Sequence, residues 1–199
     1  MDEIIVATGN KGKAREFASL LSGVCPSVRS MDKFPSIAMP EETGDTFSEN
    51  SIIKARAVFS ATRSAAPNSA VLADDSGLEV AALGGKPGVR SARYAGENST
   101  DGENVDKLLS ALGAEKDRRA RFVCHLTVIL PSGGTVAGRG VCEGEIAEEK
   151  RGAGGFGYDP VFFLPSLNKT MAELEPEEKN RLSHRAAAAK EIAARLRDM

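Results

Sequence analysis

The sequence contains no tryptophan, and aromatic residues make up only 5% of its 199 residues. Ala, Val, Ile and Leu must therefore fill the core, which suits a β-sheet covered by helices. The apolar share of 41% is enough for a core, and the length fits one domain, or one domain with two lobes. No apolar run approaches the roughly 20 residues that a membrane-spanning helix needs.

The chain also lacks a strong charge excess and has few cysteines. It carries 26 basic and 28 acidic residues, for a formal net charge of −2, which does not favour a nucleic-acid polymer as partner. Cys25, Cys124 and Cys142 form no Cys-x-x-Cys motif, which excludes a zinc ribbon or a redox pair. Across a simple hairpin turn Cys124 and Cys142 would lie roughly opposite each other, but we expect buried, reduced thiols in a cytoplasmic protein rather than a disulfide. The N-terminus shows no signal-peptide pattern.

The hydrophobic pattern predicts an α/β protein with a mixed sheet, and it lacks the regular alternation of a doubly wound fold. Apolar or β-branched runs predict strands at residues 4–7, 71–73, 78–83, 122–130, 135–146 and 161–164. Capping boxes at Thr46-x-x-Glu49 and Thr100-x-x-Glu103 predict two helix starts, the first helix reaching about residue 64. Pro176 and Ser183 predict two further helices. The Pro131–Gly134 turn predicts a hairpin, and residues 25–45 look irregular.

A glycine-containing loop joins the first predicted strand to the first helix. It reads Thr8-Gly9-Asn10-Lys11-Gly12-Lys13. Free backbone N–H groups and the helix dipole favour anions at such a position, and the lysines add positive charge. The spacing is not that of a Walker A loop. An ordinary strand–helix turn with solvated lysines accounts for the loop about as well as an anion site does.

Acidic residues cluster in two places. Asp74-Asp75-Ser76-Gly77 follows an apolar run, and adjacent side chains on an extended segment point to opposite sides, so only one aspartate can easily face a site. Glu41 or Glu42 could join Asp75 in holding Mg²⁺, which typically uses one or two carboxylates plus substrate phosphates. Taken alone, the glutamates fit an exposed acidic loop. Asn50 and Lys54, which form a polar helical stripe with Thr46, likewise fit a solvated face.

The C-terminal third offers an aromatic ring and a basic group. Glycines flank Phe156, so a planar base could stack on its ring, although core packing is a strong alternative because most buried aromatic rings contact no ligand. His184 and Arg185 stand in a first helical turn, where positive charge opposes the helix dipole and so suggests a nearby anion or acceptor. His125, inside a predicted strand, fits a structural role. The sequence has no His/Cys cluster for zinc and no Gly-x-Ser-x-Gly elbow.

In their order along the chain, these segments resemble the inosine triphosphate pyrophosphatase family, also called XTP/dITP diphosphatases. The matching strings are Thr8–Lys13, Glu42–Asn50, Ala73–Leu78, Gly85–Tyr94, Gly155–Pro160 and Ser183–Arg185. Each string is weak alone, whereas the ordered set is specific and spans the chain from about Ile4 to the last helix. Lys150 and Ser51 depart from the usual pattern, and neither stands at an expected ligand contact.

The resemblance implies a fold, an activity and a site. The fold is an elongated mixed β-sheet flanked by helices, with two lobes, a nucleotide cleft between them, and a homodimer. The activity is Mg²⁺-dependent hydrolysis of deaminated purine nucleoside triphosphates (ITP, dITP, XTP) to monophosphate and pyrophosphate. Thr8–Lys13 and Lys54 would bind the triphosphate, Glu41 and Asp75 the Mg²⁺, and Asp75 would also act as base for water. Further substrate contacts are implied for Ser76, Phe156, Gly157, Tyr158, Asp159, Lys179, His184 and Arg185.

The chemistry of Arg185 bears on the choice of base. Its guanidinium has donors only, so it matches the 6-keto group of hypoxanthine or xanthine and not the 6-amino group of adenine. A mismatch would leave buried groups unpaired at ~1–3 kcal/mol each. This argument does not explain the rejection of guanine. Two other interpretations stay open: a nucleotide-binding regulator without catalysis, which would not need Asp75 and an acidic partner, and an enzyme acting on other nucleotides.

Overall fold

The computed structural model describes residues 3–197, which form an α/β protein. The helices are α1 (Lys11–Leu20), α2 (Phe47–Thr62), α3 (Asp101–Leu112), α4 (Pro176–Leu182) and α5 (His184–Arg197). The strands are β1 (Glu3–Val6), β2 (Val28–Ser30), β3 (Ser69–Val80), β4 (Arg119–Ile129), β5 (Thr135–Ile146), β6 (Phe162–Leu164) and β7 (Lys169–Thr170). Short 3-10 helices occupy Met31–Lys33, Ala81–Leu83, Gly88–Arg93 and Met171–Glu173.

The strands join in one mixed sheet with the order β2-β1-β3-β4-β5-β6-β7. Strand β1 runs parallel to β2 and β3, whereas β6 runs antiparallel to β5 and β7. The turn between β4 and β5 is closed by the N–H of Leu130, which donates to the carbonyl of Gly134 at 2.8 Å. The expected fold class, a mixed sheet flanked by helices, is therefore confirmed, as is the predicted hairpin.

The chain divides into two compact units, each with its own apolar core. The first unit comprises the chain up to Asp75, Cys124–Gly140 and the chain from His184 onward. The second comprises Ser76–Val123 and Val141–Ser183. Strands β3, β4 and β5 each contribute residues to both units.

In the first unit, alternate residues of β1 and β3 pack on opposite faces of the sheet. One face joins Ile4, Val6, Ala70 and Leu72 to Phe17 of α1 and to Ala188 and Ile192 of α5. The other joins Ile5, Ala7, Val71 and Ala73 to Ala55 and Val58 of α2. The two-residue period of a strand thus puts α1 and α5 on one side and α2 on the other.

Glycines in β5 allow α5 to pack closely against the sheet. A Cβ atom at Gly140 would collide with the carbonyl oxygen of His184, and one at Gly138 would lie 2.9 Å from the Ile192 side chain. The backbones of strand and helix therefore meet at a distance that no larger residue permits. This contact places the first turn of α5 firmly against the sheet.

The core of the second unit is built on α3 and the sheet residues beneath it. Val105, Leu108 and Leu112 of α3 are buried, and Leu109 is partly buried against the same core, so the predicted apolar face of this helix is confirmed. These side chains share one cluster with Leu78, Val80, Phe122, Cys142, Phe162 and Met171. The rings of Phe122 and Phe162 lie 4.3 Å apart, centroid to centroid.

Strand β3 differs from the expectation of two short strands around a turn. It is one strand, Ser69–Val80, and Asp74 and Asp75 lie within it. Asp, Ser and Gly favour turns, but they do not end the strand here. Pairing within the sheet and ion pairs to the aspartates keep this segment extended. Strand β2 lies in the region expected to be irregular; its three residues are too few to show a pattern, and its pairing with β1 defines it.

The cysteines match the expectation from the sequence. Cys25, Cys124 and Cys142 are all buried free thiols. Burial raises the pKa of Cys142 to about 11, with the neighbouring charge of Glu143 adding to the effect.

Among residues 3–197, no helix combines the length and apolar character that crossing a membrane requires.

Candidate active site

The charged centre of the first unit forms where β3 continues past the end of β1. Val6, the last residue of β1, pairs with Leu72, so Asp74 and Asp75 extend beyond this neighbour. Both aspartates are buried. By the alternation of the strand, Asp74 continues the face covered by α1 and α5, and Asp75 continues the face covered by α2. Groups from both faces can meet here because no β1 residue lies between them.

Asp74 holds two cations from two helices. Lys13 Nζ of α1 lies 3.0 Å from Asp74 Oδ2, and Arg185 Nε of α5 lies 3.7 Å from the same oxygen. Arg185 also pairs with Glu16 of α1 at 3.1 Å through Nη1. The Lys13–Glu16 spacing puts both side chains on one face of α1. Lys13 and Arg185 thus converge on a single carboxylate.

Asp75 belongs to a second set of contacts that α2 provides. Lys54 Nζ lies 3.2 Å from Asp75 Oδ1 and 2.8 Å from Glu42 Oε1. Lys54 is only 5% exposed, so its ammonium is held between two carboxylates away from water. The other oxygen, Asp75 Oδ2, is buried and makes no hydrogen bond to any of the described residues. A buried acceptor without a partner costs free energy, and a ligand would remove that cost.

The pKa values of the two aspartates are displaced in opposite directions. Burial alone would raise the pKa of Asp74, but the charges of Lys13, Arg185 and Lys54 hold it far below its usual range. Burial raises the pKa of Asp75, and the nearby charge of Glu42 raises it further, against the opposing effects of Lys54 and Lys13. Because Lys13 and Lys54 each influence both carboxyls, the contacts form one charged cluster. Neighbouring acids with separated pKa values are suited to different chemical roles.

The Thr8–Lys13 segment leads from β1 into α1, which begins at Lys11, within the expected loop, because Asn10 caps it there. Asn10 is the N-cap of α1, and its Oδ1 accepts from the N–H groups of Gly12 and Lys13 at 2.8 and 3.0 Å. Thr8 Oγ1 accepts from the N–H of Asn10 at 3.1 Å. Two of the N–H groups expected to face an anion are therefore already satisfied, while Gly9 and Lys11 are exposed to solvent.

The second unit contains a separate polar cluster around Asp159. Its Oδ2 accepts from the Phe156 N–H at 2.8 Å and from Lys179 Nζ at 2.6 Å. The ammonium of Lys179 also lies 4.6 Å from the centroid of the Phe156 ring, a cation–π distance. Phe156 is only partly buried and lies outside the apolar core. Gly157 donates its N–H to Asp101 Oδ2 at 2.7 Å, which ties the loop to the start of α3.

The remaining candidates differ in their surroundings. Tyr158 is buried and donates its hydroxyl to the Ser91 carbonyl at 2.9 Å, so its side chain braces the second unit from within. His184 is buried at the start of α5, and Ser76 is half-buried on β3. Glu41 is exposed, whereas its neighbour Glu42 is the carboxylate that Lys54 contacts.

The donor set around Asp75 fits a hard divalent cation bound together with a ligand. Residues 3–197 contain no group of three or more His, Cys, Asp or Glu side chains placed to hold a metal ion alone. Mg²⁺ commonly needs only one or two carboxylates, since substrate phosphates and water complete its coordination. Asp75 Oδ2, buried and without a hydrogen-bond partner, supplies such an oxygen. Glu42 brings a second carboxylate to the same lysine.

Sequence reasoning did not assign roles to Glu16, Asp74 and Asn50. Asp74 was visible only as half of an acidic pair, and its partners come from helices far apart in the chain. Glu16 stands three residues after Lys13, a spacing that could have linked it to the loop. Asn50 stands four residues before Lys54 on α2, and the expectation that this stripe is solvated is wrong, because both side chains are buried.

Comparison with known proteins gives consistent matches over nearly the whole chain. The family model described as the Ham1 family matches residues 4–195. A dITP/XTP pyrophosphatase of Geobacillus kaustophilus is 53% identical over 190 residues, which cover 94% of this chain and 91% of that protein. The structure of the Staphylococcus aureus Ham1 protein matches with a TM-score of 0.84 at 45% identity, covering 99% of both chains. A HAM1 protein structure from Coxiella burnetii gives a TM-score of 0.85 at 43% identity over 100% of both chains.

Proposed function

Because the chain belongs to the Ham1 family, we propose that it hydrolyses deaminated purine nucleoside triphosphates to the monophosphate and pyrophosphate. It is a hydrolase that acts on nucleoside triphosphates. The observation that supports the proposal most strongly is the convergence of Lys13, Lys54 and Arg185 on the adjacent carboxylates of Asp74 and Asp75. A binding protein would need the cations, but it would not need a buried carboxylate with an unused oxygen.

The cations suit a triphosphate. Such a substrate carries about four negative charges, which fixed positive groups offset without reorganising during the reaction. Lys13 stands in the first turn of α1 and Lys54 on α2, so two helices can bring charge to the phosphates. Both ammonium groups are held by carboxylates, which keeps them in place before the substrate arrives.

Asp75 is the proposed base. Its raised pKa means that it holds a proton more strongly than an ordinary aspartate, and its Oδ2 is not the oxygen that Lys54 contacts. It would orient a water molecule and take its proton as the oxygen attacks the α-phosphorus in line with the α–β bridging oxygen. That bond breaks, and pyrophosphate leaves with its negative charge shared by the lysines. Asp74 stays ionised and holds Lys13 and Arg185.

We further propose that the reaction depends on Mg²⁺. Asp75 and one carboxylate of the Glu41–Glu42 pair would hold the ion. The family resemblance implies Glu41 for this second position. When bound, the ion neutralises phosphate charge and polarises the phosphoryl group. The exposed position of Glu41 and the contact of Glu42 with Lys54 make Glu42 the second carboxylate to test.

Base recognition is assigned to the groups that present donors or an accessible ring. Phe156 offers a partly exposed ring, and the Lys179–Asp159 pair fixes the loop that carries it. Arg185 supplies donors for a 6-keto group, and His184 precedes it on α5. Ser76, Gly157 and Tyr158 complete the proposed set of substrate contacts. We also propose that the enzyme is a homodimer that acts in the cytoplasm.

A substrate panel tests the function directly. ITP, dITP, XTP, GTP and ATP are each incubated with the protein and Mg²⁺, and the products are separated to detect monophosphate and pyrophosphate. We expect ITP, dITP and XTP to be hydrolysed far faster than ATP and GTP, with loss of activity on chelation of the metal. Nucleotide binding without pyrophosphate release would instead identify a regulator, and preferential hydrolysis of ATP or GTP would reject the proposed substrate class.

A further inference from the structure

Asn50 is completely buried on α2, yet only part of its amide is used by the fold. Its Oδ1 accepts from the N–H of Gly44 at 2.8 Å, which anchors the loop that carries Glu42. A Cβ at Gly44 would lie 2.8 Å from that Oδ1, so only glycine allows this approach. Its Nδ2, in contrast, is buried and has no hydrogen-bond partner among the described residues.

The side chains around Asn50 belong to the charged cluster. Asn50 and Lys54 stand four residues apart and therefore lie on the same face of α2. Lys54 Nζ contacts Asp75 Oδ1, while Asp75 Oδ2 is the other buried atom here without a partner. The amide of Asn50 is close enough to lower the pKa of Asp75. An unused donor and an unused acceptor are thus neighbours at the proposed base.

Asn104 shows what a purely structural asparagine looks like at the same helical position. It follows the Thr100-x-x-Glu103 capping box of α3 as Asn50 follows the Thr46-x-x-Glu49 box of α2. Asn104 Oδ1 accepts from the Ala95 N–H and the Ser99 hydroxyl at 2.7 and 2.9 Å. Its Nδ2 donates to the Ala92 carbonyl at 3.1 Å. Both polar atoms of that amide have a partner in the fold, whereas Asn50 Nδ2 has none among the described residues.

We propose that Asn50 is a positioning residue of the reaction, whose Nδ2 holds the Asp75 carboxylate in the orientation needed to receive a proton from water. This role rests on the proposed hydrolase function. The Gly44 contact fixes the rest of the amide, so the donor is aimed by the fold and needs no rearrangement during turnover. A purely structural role for Asn50 would require only its contact with Gly44.

The variant that separates the two roles is Asn50→Asp. It has nearly the same shape and keeps an acceptor for Gly44, but it replaces the donor beside Asp75 with an oxygen. At pH 9, which favours the ionised form of the new carboxyl, we expect kcat for dITP to fall about 10–100-fold, with KM within about threefold of the parent. The matched control is Asn104→Asp, which should keep kcat within about twofold. Parental kcat in Asn50→Asp would overturn the proposal.

Unfolding measurements give a readout that needs neither substrate nor metal. Urea unfolding midpoints are compared for the parent, Asn50→Asp, Asp75→Asn and the double variant. Two neighbouring carboxyls repel, so Asn50→Asp should lower the midpoint clearly in the parent and much less in the Asp75→Asn background. Equal losses in both backgrounds would overturn the proposal. If Asn50→Asp fails to fold, a folded double variant supports the contact and an unfolded one rejects it.

These experiments distinguish failure of the positioning role from failure of the proposed function. If the parent protein releases no pyrophosphate from any nucleotide of the panel, the function is wrong, and the unfolding comparison still decides whether Asn50 and Asp75 interact. If the parent is active and Asn50→Asp retains its kcat, the function stands and Asn50 serves only the fold.

Discussion

Helices α2 and α3 share the same N-terminal capping motif, but they bury different kinds of side chain. Each starts with a threonine N-cap and a glutamate three residues later, and both capping boxes are complete. The buried face of α3 then carries Val105, Leu108 and Leu112 into the core of the second unit. The buried face of α2 carries Asn50 and Lys54 toward Asp75, alongside its apolar residues.

The comparison shows that the polarity of the side chains a helix buries indicates whether the helix serves the core or a site. Helix α3 also buries an amide, that of Asn104, but both of its polar atoms are hydrogen-bonded within the fold. Burying an ammonium, or an amide with an unused donor, costs desolvation free energy that an apolar side chain would not cost. A fold retains such groups where a ligand or a reaction uses them, so stability is sacrificed locally. The start of a helix follows from its local sequence, whereas its function follows from what its buried face contacts.

The largest effect is expected for Asp75→Asn. The substitution keeps the size of the side chain but removes the proposed base, so turnover of dITP should fall by about 10²–10⁴-fold. Circular dichroism should show an unchanged fold. Retained activity in a folded variant would remove Asp75 from the chemistry and break the contrast between the polar face of α2 and the apolar face of α3.

The second prediction compares substitutions at one buried residue of each helix, Lys54 of α2 and Leu108 of α3. Lys54→Met removes the cation between Glu42 and Asp75, and kcat/KM should fall about 10²-fold or more because a fixed charge near the phosphates is lost. Leu108→Ala in α3 should cost about 2–5 kcal/mol of unfolding free energy through the cavity it leaves. The folded fraction of Leu108→Ala should keep its kcat. A comparable kcat loss in both variants would show that the two faces are not specialised.

The capping threonines should have similar and smaller effects. Thr46→Ala and Thr100→Ala each remove the acceptor for a first-turn N–H group, at 3.2 and 3.3 Å in the structure. Each should lower the unfolding free energy by about 1 kcal/mol, measured by urea denaturation. A loss several times larger for one of them would mean that its cap supports tertiary contacts and that the helix starts are not equivalent.

The smallest effect concerns the thiols of the two units. The raised pKa of Cys142, about 11, leaves little thiolate at pH 8, so iodoacetamide should react slowly and faster as the pH approaches 11. Burial raises the pKa of Cys124 still further, and its side chain is fully enclosed, so it should react only on unfolding. Mass spectrometry of alkylated peptides gives the order. Rapid labelling of Cys124 at pH 8 would indicate that the first unit opens readily.

Much of the fold could be read from local patterns. The capping boxes, the apolar face of α3, the Pro131–Gly134 turn and the start of α4 at Pro176 were all predicted, because neighbouring residues decide them. The family resemblance drawn from the motifs is also confirmed by the comparisons. β2 was missed, and β3 was divided in two, because pairing with strands elsewhere in the chain holds those segments extended.

The sequence by itself determined where α2, α3, α4 and α5 begin and which face of α3 is apolar, since these depend on residues a few positions apart. Tertiary structure alone decided that Asp74 contacts Lys13 and Arg185 while Asp75 contacts Lys54. The reason is geometric: a strand sends adjacent side chains to opposite faces, and only the packing of helices on those faces determines which charge each carboxylate meets.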